Sequence, residues 1–142
     1  MYTIEEFDKQ KTRVFKYIAY KKRTEYEVRT KFKTILNNDI LEDIIKYLKE
    51  AGYINDYEYI VKAVSEYISL KNLSIKEIKY KLYSKGIDRK ILDEYINKNE
   101  EKLKEYEKKS AQNIIKKKEN SMDSEEIKRY LAKKGYNISN YT

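Results

Sequence analysis

The sequence predicts an all-helical protein built from tandem three-helix repeats, and three observations support this prediction. The 142 residues contain no proline and only three glycines, the two residue types least favourable inside a helix. Apolar residues recur three and four positions apart over most of the chain, which is the spacing of one helix face. A helix-start signal of one type also recurs at intervals of 50 and 49 residues. These patterns predict helices throughout, in repeated order.

The recurring start signal is a capping box, in which a Ser, Thr or Asp side chain and a Glu three residues later bond free amides around the first helical turn. It occurs at Thr24–Glu27, Ser74–Glu77 and Asp123–Glu126. A pair of apolar residues four positions apart follows each box at the same offset. The pairs are Val28 and Phe32, Ile78 and Leu82, and Ile127 and Leu131. We therefore expect these six side chains in equivalent core positions.

Glycines mark helix ends. Gly52, Gly86 and Gly135 are each followed by a large apolar residue, as expected where a left-handed glycine ends a helix and the next side chain packs back on it. The first repeat has Leu36-Asn37-Asn38 at the place equivalent to Gly86. Asparagine tolerates the left-handed conformation, so we expect it there too.

Taken in chain order, these signals define three repeats of helices A, B and C, at residues 1–55, 56–99 and 100–142. In the first repeat the helices are predicted at about 10–22, 25–36 and 39–51. In the second they are predicted at about 56–71, 75–85 and 88–98. In the third, helix A is predicted at about 100–118 and helix B at about 124–134, with a short or absent last helix. Because each repeat has a thin core, we expect the repeats to lean on their neighbours.

Eight of the 16 tyrosines form two groups by their phase on the predicted helices. Five occupy apolar phases and are predicted to be core residues: Tyr17, Tyr47, Tyr57, Tyr95 and Tyr130. Tyr26, Tyr80 and Tyr83 point less clearly inward. Stacking on nucleic-acid bases is a weaker interpretation for these three.

Composition argues against catalysis. The chain has no His and no Cys, so it has no imidazole base, no thiolate and no zinc site built from those ligands. Carboxylate pairs such as Glu42/Asp43, Asp56/Glu58 and Asp93/Glu94 are typical of solvated helix faces, and no glycine-rich phosphate loop occurs. We therefore expect a non-enzyme without cofactor or metal. The chain shows no transmembrane run and no signal peptide, which predicts a soluble cytoplasmic protein.

The positive charge predicts a polyanionic partner. With 32 Lys and Arg against 24 Asp and Glu, the formal net charge is +8. The excess is +3, +2 and +3 in the three repeats, which suits a long footprint better than one compact patch. A biased composition with ordinary solvated lysines is the alternative interpretation, and it stays open here.

The candidate contact residues are the cations of the three B helices, because a repeated basic face can follow a regular polyanion. They are Arg29, Lys33, Lys79, Lys81, Lys85, Lys128, Arg129, Lys133 and Lys134. Arg29, Lys79 and Lys128 occupy one offset in the repeat. Two further runs, Lys21–Arg23 and Lys116–Lys118, end helices A. Phosphate contact and stabilisation of the negative helix terminus predict those runs equally well.

Four segments occur in order along the chain: Ile18–Arg29, Gly52–Ile60, Leu82–Ile87 and Leu131–Tyr136. Together they resemble the RecX family of recombinase regulators. Near the start, Ile18–Arg29 is similar to the family's opening stretch, and Gly52–Ile60 resembles its Gly-Tyr-Ile-Asp-Asp segment. Further on, Leu82–Ile87 is similar to its central Leu-x-x-Lys-Gly-Ile, and Leu131–Tyr136 resembles its final basic-Gly-Phe. Each motif is short, but the four together at the expected spacing are fairly specific.

The resemblance implies three tandem three-helix units in an elongated, curved array. It also implies a non-catalytic regulator that binds RecA–DNA filaments and inhibits recombinase activity in recombination, DNA repair and the SOS response. The implied partners are the RecA filament and, more weakly or indirectly, single-stranded DNA. We expect a monomer that binds no membrane.

Two other functions stay open from the sequence. One is a general DNA-binding protein built of helix-turn-helix-like three-helix units. Base readout would favour a helix rich in Arg, Asn or Gln, whereas the five Arg of this chain are spread across the repeats. The other is a protein-interaction scaffold whose positive charge is incidental.

Overall fold

The computed structural model describes residues 1–70 and 72–137. Over these residues the chain forms eight α-helices and no strand, which confirms the predicted all-helical class. They are α1 (Ile4–Tyr20), α2 (Glu25–Phe32), α3 (Asn38–Glu50), α4 (Asp56–Leu70), α5 (Ile75–Ser84), α6 (Arg89–Lys98), α7 (Glu100–Lys118) and α8 (Ser124–Lys134). The helices α2, α5 and α8 are the three B helices. The end of the third repeat falls on residues 138–142 and lies outside the described residues. The repeat boundaries themselves stay predictions.

The B helices begin where the capping boxes predict. Thr24 and Asp123 are N-cap residues with reciprocal bonds to Glu27 and Glu126. At the start of α5, the amide of Glu77 donates to the hydroxyl of Ser74 at 3.1 Å, and the amide of Ser74 donates to the carboxylate of Glu77 at 2.9 Å. The six apolar residues that follow the boxes are all buried, which confirms their predicted core positions.

The start of α1 differs from the prediction of about residue 10. The helix begins at Ile4, because the hydroxyl of Thr3 caps it by accepting a hydrogen bond from the amide of Glu6 at 3.0 Å. The rings of Tyr2 and Phe7 bracket this cap with their centroids 6.0 Å apart. This is the arrangement of a hydrophobic staple, which fixes the direction in which a chain enters a helix.

The end of α2 also differs from the prediction. The helix ends at Phe32 and not near residue 36. The next residues form a tight turn in which the amides of Ile35 and Leu36 both donate to the carbonyl of Phe32, at 3.0 and 2.9 Å. The turn lets Leu36 pack against the core. The expected left-handed asparagine is wrong, because Asn37 is extended at φ −63° and ψ 148° and precedes α3 as its N-cap.

The described tyrosines follow their predicted phases only in part. Tyr95 is buried, as predicted, and Tyr17, Tyr57 and Tyr130 are half-buried. Tyr47 is 45% exposed, so its assignment to the core is wrong. It lies at the edge of the apolar face of α3, where its ring meets Phe7 edge-on and the ammonium of Lys11 lies 4.6 Å from its centroid.

The chain divides into two compact units. The first consists of Met1–Tyr59 together with Lys85–Ile87, and the second consists of Ile60–Ser84 and the chain from Asp88 onward. The main core of the first unit is formed by α1, α2, α3 and Ile54. In the second unit, a cluster of Ala111, Ile114, Ile127, Leu131 and Tyr136 joins α7 to α8.

A hydrogen-bonded joint anchors Lys85–Ile87 in the first unit. The buried hydroxyl of Thr24 donates to the carbonyl of Lys85 at 2.7 Å while accepting from the amide of Glu27 at 3.1 Å. The next amide, that of Glu25, donates to the carboxylate of Asp56 at 3.0 Å. The start of α2 is therefore hydrogen-bonded to two groups that are distant in sequence, the carbonyl of Lys85 and the carboxylate of Asp56.

The second unit contains the same joint one repeat later. The buried hydroxyl of Ser74 donates to the carbonyl of Lys134 at 2.7 Å and accepts from the amide of Glu77 at 3.1 Å. The amide of Ile75 donates to the carboxylate of Glu107 at 2.8 Å. Each polar group in one joint has a counterpart 49 to 51 positions later, as expected of a tandem repeat.

Glycine is required at both joints for two reasons. Gly86 and Gly135 have φ of +80° and +99°, a conformation unfavourable for residues with a Cβ. A Cβ on Gly86 would overlap the Cβ and ring of Tyr26, and a Cβ on Gly135 would lie 2.9 Å from the Cβ of Lys76. Tyr26 and Lys76 occupy the same offset in their repeats, so the close approach is also repeated.

Candidate functional site

The nine predicted contact residues lie on or just after α2, α5 and α8, but the structure does not leave them equally available. Four are exposed and five are half-buried. The exposed ones are Lys33, Lys81, Arg129 and Lys133, and the half-buried ones are Arg29, Lys79, Lys85, Lys128 and Lys134. Whether each of them could bind an anion also depends on whether its charge is already paired with a carboxylate.

Arg29 is held by two carboxylates. Its Nε donates to Glu25 at 3.0 Å, one turn back on α2, and its two terminal nitrogens both bond the carboxylate of Glu42 on α3. The ammonium of Lys49 also lies 2.8 Å from Glu25. A forked arginine–carboxylate contact is strong and directional, so Arg29 joins α2 to α3.

The protonation equilibria agree with this pairing. The hydrogen bonds from Arg29 lower the pKa of Glu42, and those from Lys49 and Arg29 outweigh partial burial and lower the pKa of Glu25. The two carboxylates in turn raise the pKa of Arg29. Asp56 behaves oppositely, because burial raises its pKa despite the hydrogen bond that it accepts from the amide of Glu25.

Two cations on α8 are also paired. The ammonium of Lys134 lies 3.3 Å from the carboxylate of Glu77, beside the Ser74 joint. Lys128 lies 3.8 Å from Glu125 within its own helix, which is a loose and exposed pair of little energetic value. Lys134 thus takes part in structure, whereas Lys128 can exchange its partner at low cost.

The other six candidates form no ion pair with any residue that the structure describes. They are Lys33, Lys79, Lys81, Lys85, Arg129 and Lys133. The three-fold set of Arg29, Lys79 and Lys128 is therefore uneven: Arg29 is tied to two acids, Lys128 loosely to one, and Lys79 to none.

Helix α5 carries a feature that was only partly predicted. Lys76, Lys79, Tyr80 and Tyr83 fall on one side of the helix at i, i+3, i+4 and i+7. Tyr80 is 76% and Tyr83 37% exposed, and the guanidinium of Arg89 lies 5.8 Å from the ring of Tyr83. We call these four residues the α5 stripe. Lys76 could have been assigned to the α5 stripe from the sequence, because its spacing from the core residues Ile78 and Leu82 indicates which side of the helix it occupies.

The two basic runs at the ends of helices A also have partners. Lys22 lies 3.6 Å from Glu58, and the guanidinium of Arg23 stacks 4.2 Å from the centroid of Tyr17. In α7, Lys116–Lys118 occupy the last turn, and the ammonium of Lys118 lies 4.7 Å from the ring centroid of Tyr130. Phosphate contact by either run stays a hypothesis.

Within residues 1–70 and 72–137, no three or more carboxylate side chains come together in a way that could hold a metal ion. Among the same residues, no helix is both long and apolar enough to cross a membrane.

The sequence matches proteins of one name over nearly its whole length. The regulatory protein RecX of Clostridium beijerinckii is 34% identical over 140 residues, which cover 94% of this chain and 65% of that protein. The regulatory protein RecX of Clostridium acetobutylicum is 33% identical over 141 residues, covering 91% and 64%. The chain is therefore similar to RecX proteins. No family model matches it.

Solved RecX structures share its fold. One crystal structure of a regulatory protein RecX is 27% identical, with a TM-score of 0.73 over 95% of this chain and 70% of that chain. The crystal structure of RecX from Lactobacillus salivarius is 24% identical, with a TM-score of 0.78 over 96% of this chain and 92% of the other. This likeness agrees with the helical repeats described above.

The chain is shorter than its curated RecX relatives. It spans 65% of the Clostridium beijerinckii protein. It spans 40% of the Finegoldia magna protein, to which it is 38% identical over 81 residues that make up 56% of this chain. The activity and partners of a whole RecX protein are therefore proposals for this chain.

Proposed function

We propose that the chain is a non-catalytic regulator that binds RecA filaments assembled on DNA and lowers recombinase activity. The observation that carries the proposal is the similarity to relatives at 34% and 33% identity that are named regulatory protein RecX. The filament is the proposed partner and single-stranded DNA a weaker one. The protein acts as a monomer in the cytoplasm, without a cofactor.

The distribution of unpaired cations supports this function. A filament offers a regular series of phosphates and acidic side chains, and a repeated basic surface can meet several of them at once. Lys79, Lys81 and Arg129 lie without ion pairs on B helices of the second unit, among the residues the structure describes. Anions can therefore approach Lys79 and Lys81 without first displacing a carboxylate.

The internal pairing of Arg29 changes which residues are proposed to make contact. Reversing its charge would place three carboxylates together, because Glu25 and Glu42 both bond it. Such a change would destabilise α2 and α3 and would say nothing about binding. We therefore assign filament contact to Lys79, Lys81, Lys128 and Arg129, and a structural role to Arg29 and Lys134.

The proposal is tested by inhibition of RecA strand exchange with the double variant Lys79→Glu/Lys128→Glu. We expect it to inhibit less than the wild type and to bind the filament with a weaker dependence on salt. The dependence of log affinity on log salt should fall by about 0.7 for each single-strand phosphate that the variant no longer neutralises. The helix content should be unchanged, because Lys79 and Lys128 are half-buried at the helix surface and outside the core, where such changes usually cost no more than about 0.5 kcal/mol.

The matched control reverses two charges away from the B helices. Lys9 and Lys16 are exposed cations of α1 that form no ion pair with any described residue. Lys9→Glu/Lys16→Glu has the same net charge as the test variant. If both double variants lose the same inhibition, only net charge matters and the proposed surface is wrong. Wild-type protein that leaves strand exchange unchanged would contradict the function itself.

A further inference from the structure

The α5 stripe combines two features that the other B helices do not combine. It holds two exposed aromatic rings, Tyr80 and Tyr83, and two cations, Lys76 and Lys79, without an ion pair among the described residues. The equivalent positions of α2 hold Tyr26, Arg29, Thr30 and Lys33, and its arginine is bound by two carboxylates. Those of α8 begin with Glu125, which pairs with Lys128.

In the α5 stripe, each lysine lies one helical turn before a tyrosine. Its four residues fall within an arc of about 100° on the helix, since successive residues are about 100° apart. Neighbours at i, i+4 are about 5–6 Å apart at Cβ, so Lys76 lies one turn from Tyr80, and Lys79 lies one turn from Tyr83. Arg89 extends the positive charge past Tyr83.

Acidic groups near the stripe are engaged elsewhere. Glu77 lies on another side of α5, where its carboxylate accepts from the amide of Ser74 and pairs with Lys134. The carboxylate of Asp88 accepts from the amide of Lys90 and caps α6. The four side chains of the stripe therefore present positive charge and aromatic surface with no carboxylate between them.

We propose that the α5 stripe is a subsite for single-stranded nucleic acid, in which Tyr80 stacks on a base and Lys76 and Lys79 contact the flanking phosphates. This inference rests on the proposed function and assigns the single strand to one named face. Exposed rings interleaved with cations suit a single strand, because its bases are free to stack while its phosphates attract the lysines. An acidic protein surface would use the lysines but would leave the exposed ring of Tyr80 without a matching partner.

The test measures the affinity of the whole chain for labelled oligothymidylate and for an abasic strand of equal length, without recombinase. The variants are Tyr80→Ala, Tyr80→Phe, Lys79→Glu and Lys62→Glu. Lys62 is the matched control, since it is an exposed cation of α4 that forms no ion pair with any described residue and lies outside the proposed contact residues. Circular dichroism checks that each variant remains helical.

We expect Tyr80→Ala to weaken binding to oligothymidylate by about fivefold to a hundredfold, the range for removal of one base stack. Tyr80→Phe should bind as the wild type does, because it keeps the ring. On the abasic strand, Tyr80→Ala should match the wild type, since there is no base to stack. Lys79→Glu should weaken binding to both strands, and by more than Lys62→Glu does.

Three results would overturn the subsite. They are unchanged affinity of Tyr80→Ala for oligothymidylate, an equal loss on the abasic strand, and an equal loss for Lys79→Glu and Lys62→Glu. Failure here is distinct from failure of the proposed function. A chain that inhibits strand exchange but binds no bare strand keeps the regulatory role and loses the α5 subsite.

Discussion

The hydroxyl of Thr24 donates a hydrogen bond to the carbonyl of Lys85 at 2.7 Å, although the two residues are 61 positions apart. The same hydroxyl caps α2 by accepting from the amide of Glu27. In the second unit, Ser74 and Lys134 repeat this bond at 2.7 Å over 60 positions. One small buried side chain thus begins a B helix and binds a segment about 60 positions further along the chain.

This double role predicts that Ser74→Ala is costlier than the loss of an ordinary cap. Removing a cap costs about 0.5–2 kcal/mol, and leaving the part-buried carbonyl of Lys134 without its donor adds up to about 1–3 kcal/mol. Asp123→Ala is the matched control, because Asp123 caps α8 at an exposed site and donates to no distant carbonyl. Urea denaturation should show a larger loss of unfolding free energy for Ser74→Ala. Equal losses would mean that the bond to Lys134 contributes nothing.

The second prediction compares two glycines with positive φ. Gly52→Ala should destabilise by about 1–2 kcal/mol, the cost of left-handed backbone for a residue with a Cβ, since no atom lies within 4 Å of the added methyl group. Gly86→Ala should cost clearly more, because its methyl group would overlap Tyr26. Thermal or urea unfolding of the two variants decides this. A smaller loss for Gly86→Ala than for Gly52→Ala would show that the close approach of Tyr26 is absent.

The third prediction concerns the core of α5. Leu82 is fully buried, so Leu82→Ala should lower the unfolding free energy by about 2–5 kcal/mol, because apolar burial is reduced and a cavity is left behind. Tyr80→Ala on the exposed side of the same helix should change it by no more than about 0.5 kcal/mol. Chemical denaturation measures both. A loss below about 0.5 kcal/mol for Leu82→Ala would contradict its equivalence with Phe32 and Leu131.

The fourth prediction is that the contribution of Arg29 to the free energy of unfolding depends on pH. The pKa values of Glu25 and Glu42 are lowered in the folded state, so the stability they contribute is present above their unfolded pKa of about 4.3. It is lost as the pH falls through their folded pKa values. Arg29→Gln should therefore be less stable than the wild type at pH 7, and the difference in unfolding free energy between the two proteins should become smaller in acid. Urea denaturation at neutral and acidic pH checks this, with Lys33→Gln as an unpaired control. A gap independent of pH would contradict the role of the two carboxylates.

The sequence predicted the parts of the fold that depend on local chemistry. The starts of α2, α5 and α8 follow from a cap and a Glu three residues later, and their buried faces follow from residues four positions apart. The same reasoning could have located the start of α1, because Thr3 and Glu6 form the same pattern. The end of α2 was not predictable in this way, because Leu36 leaves the helix in order to pack against distant core residues.

The candidate site was less predictable, because the availability of a cation depends on groups from other elements. Glu25 is four positions before Arg29, but Glu42 reaches it from α3. Lys134 meets Glu77 across 57 positions. A sequence pattern places such residues on one helix face, whereas only the packed structure shows which of them are already paired.

Binding to the RecA filament can be measured by titrating the chain against three labelled targets in parallel. These are bare single-stranded DNA, free RecA, and the filament assembled with a nucleotide that is not hydrolysed. We expect the filament to be bound more tightly than either component, because several weak contacts along the repeats act together. Equal affinity for bare DNA and the filament would contradict filament binding as the main function and would favour a general DNA-binding protein.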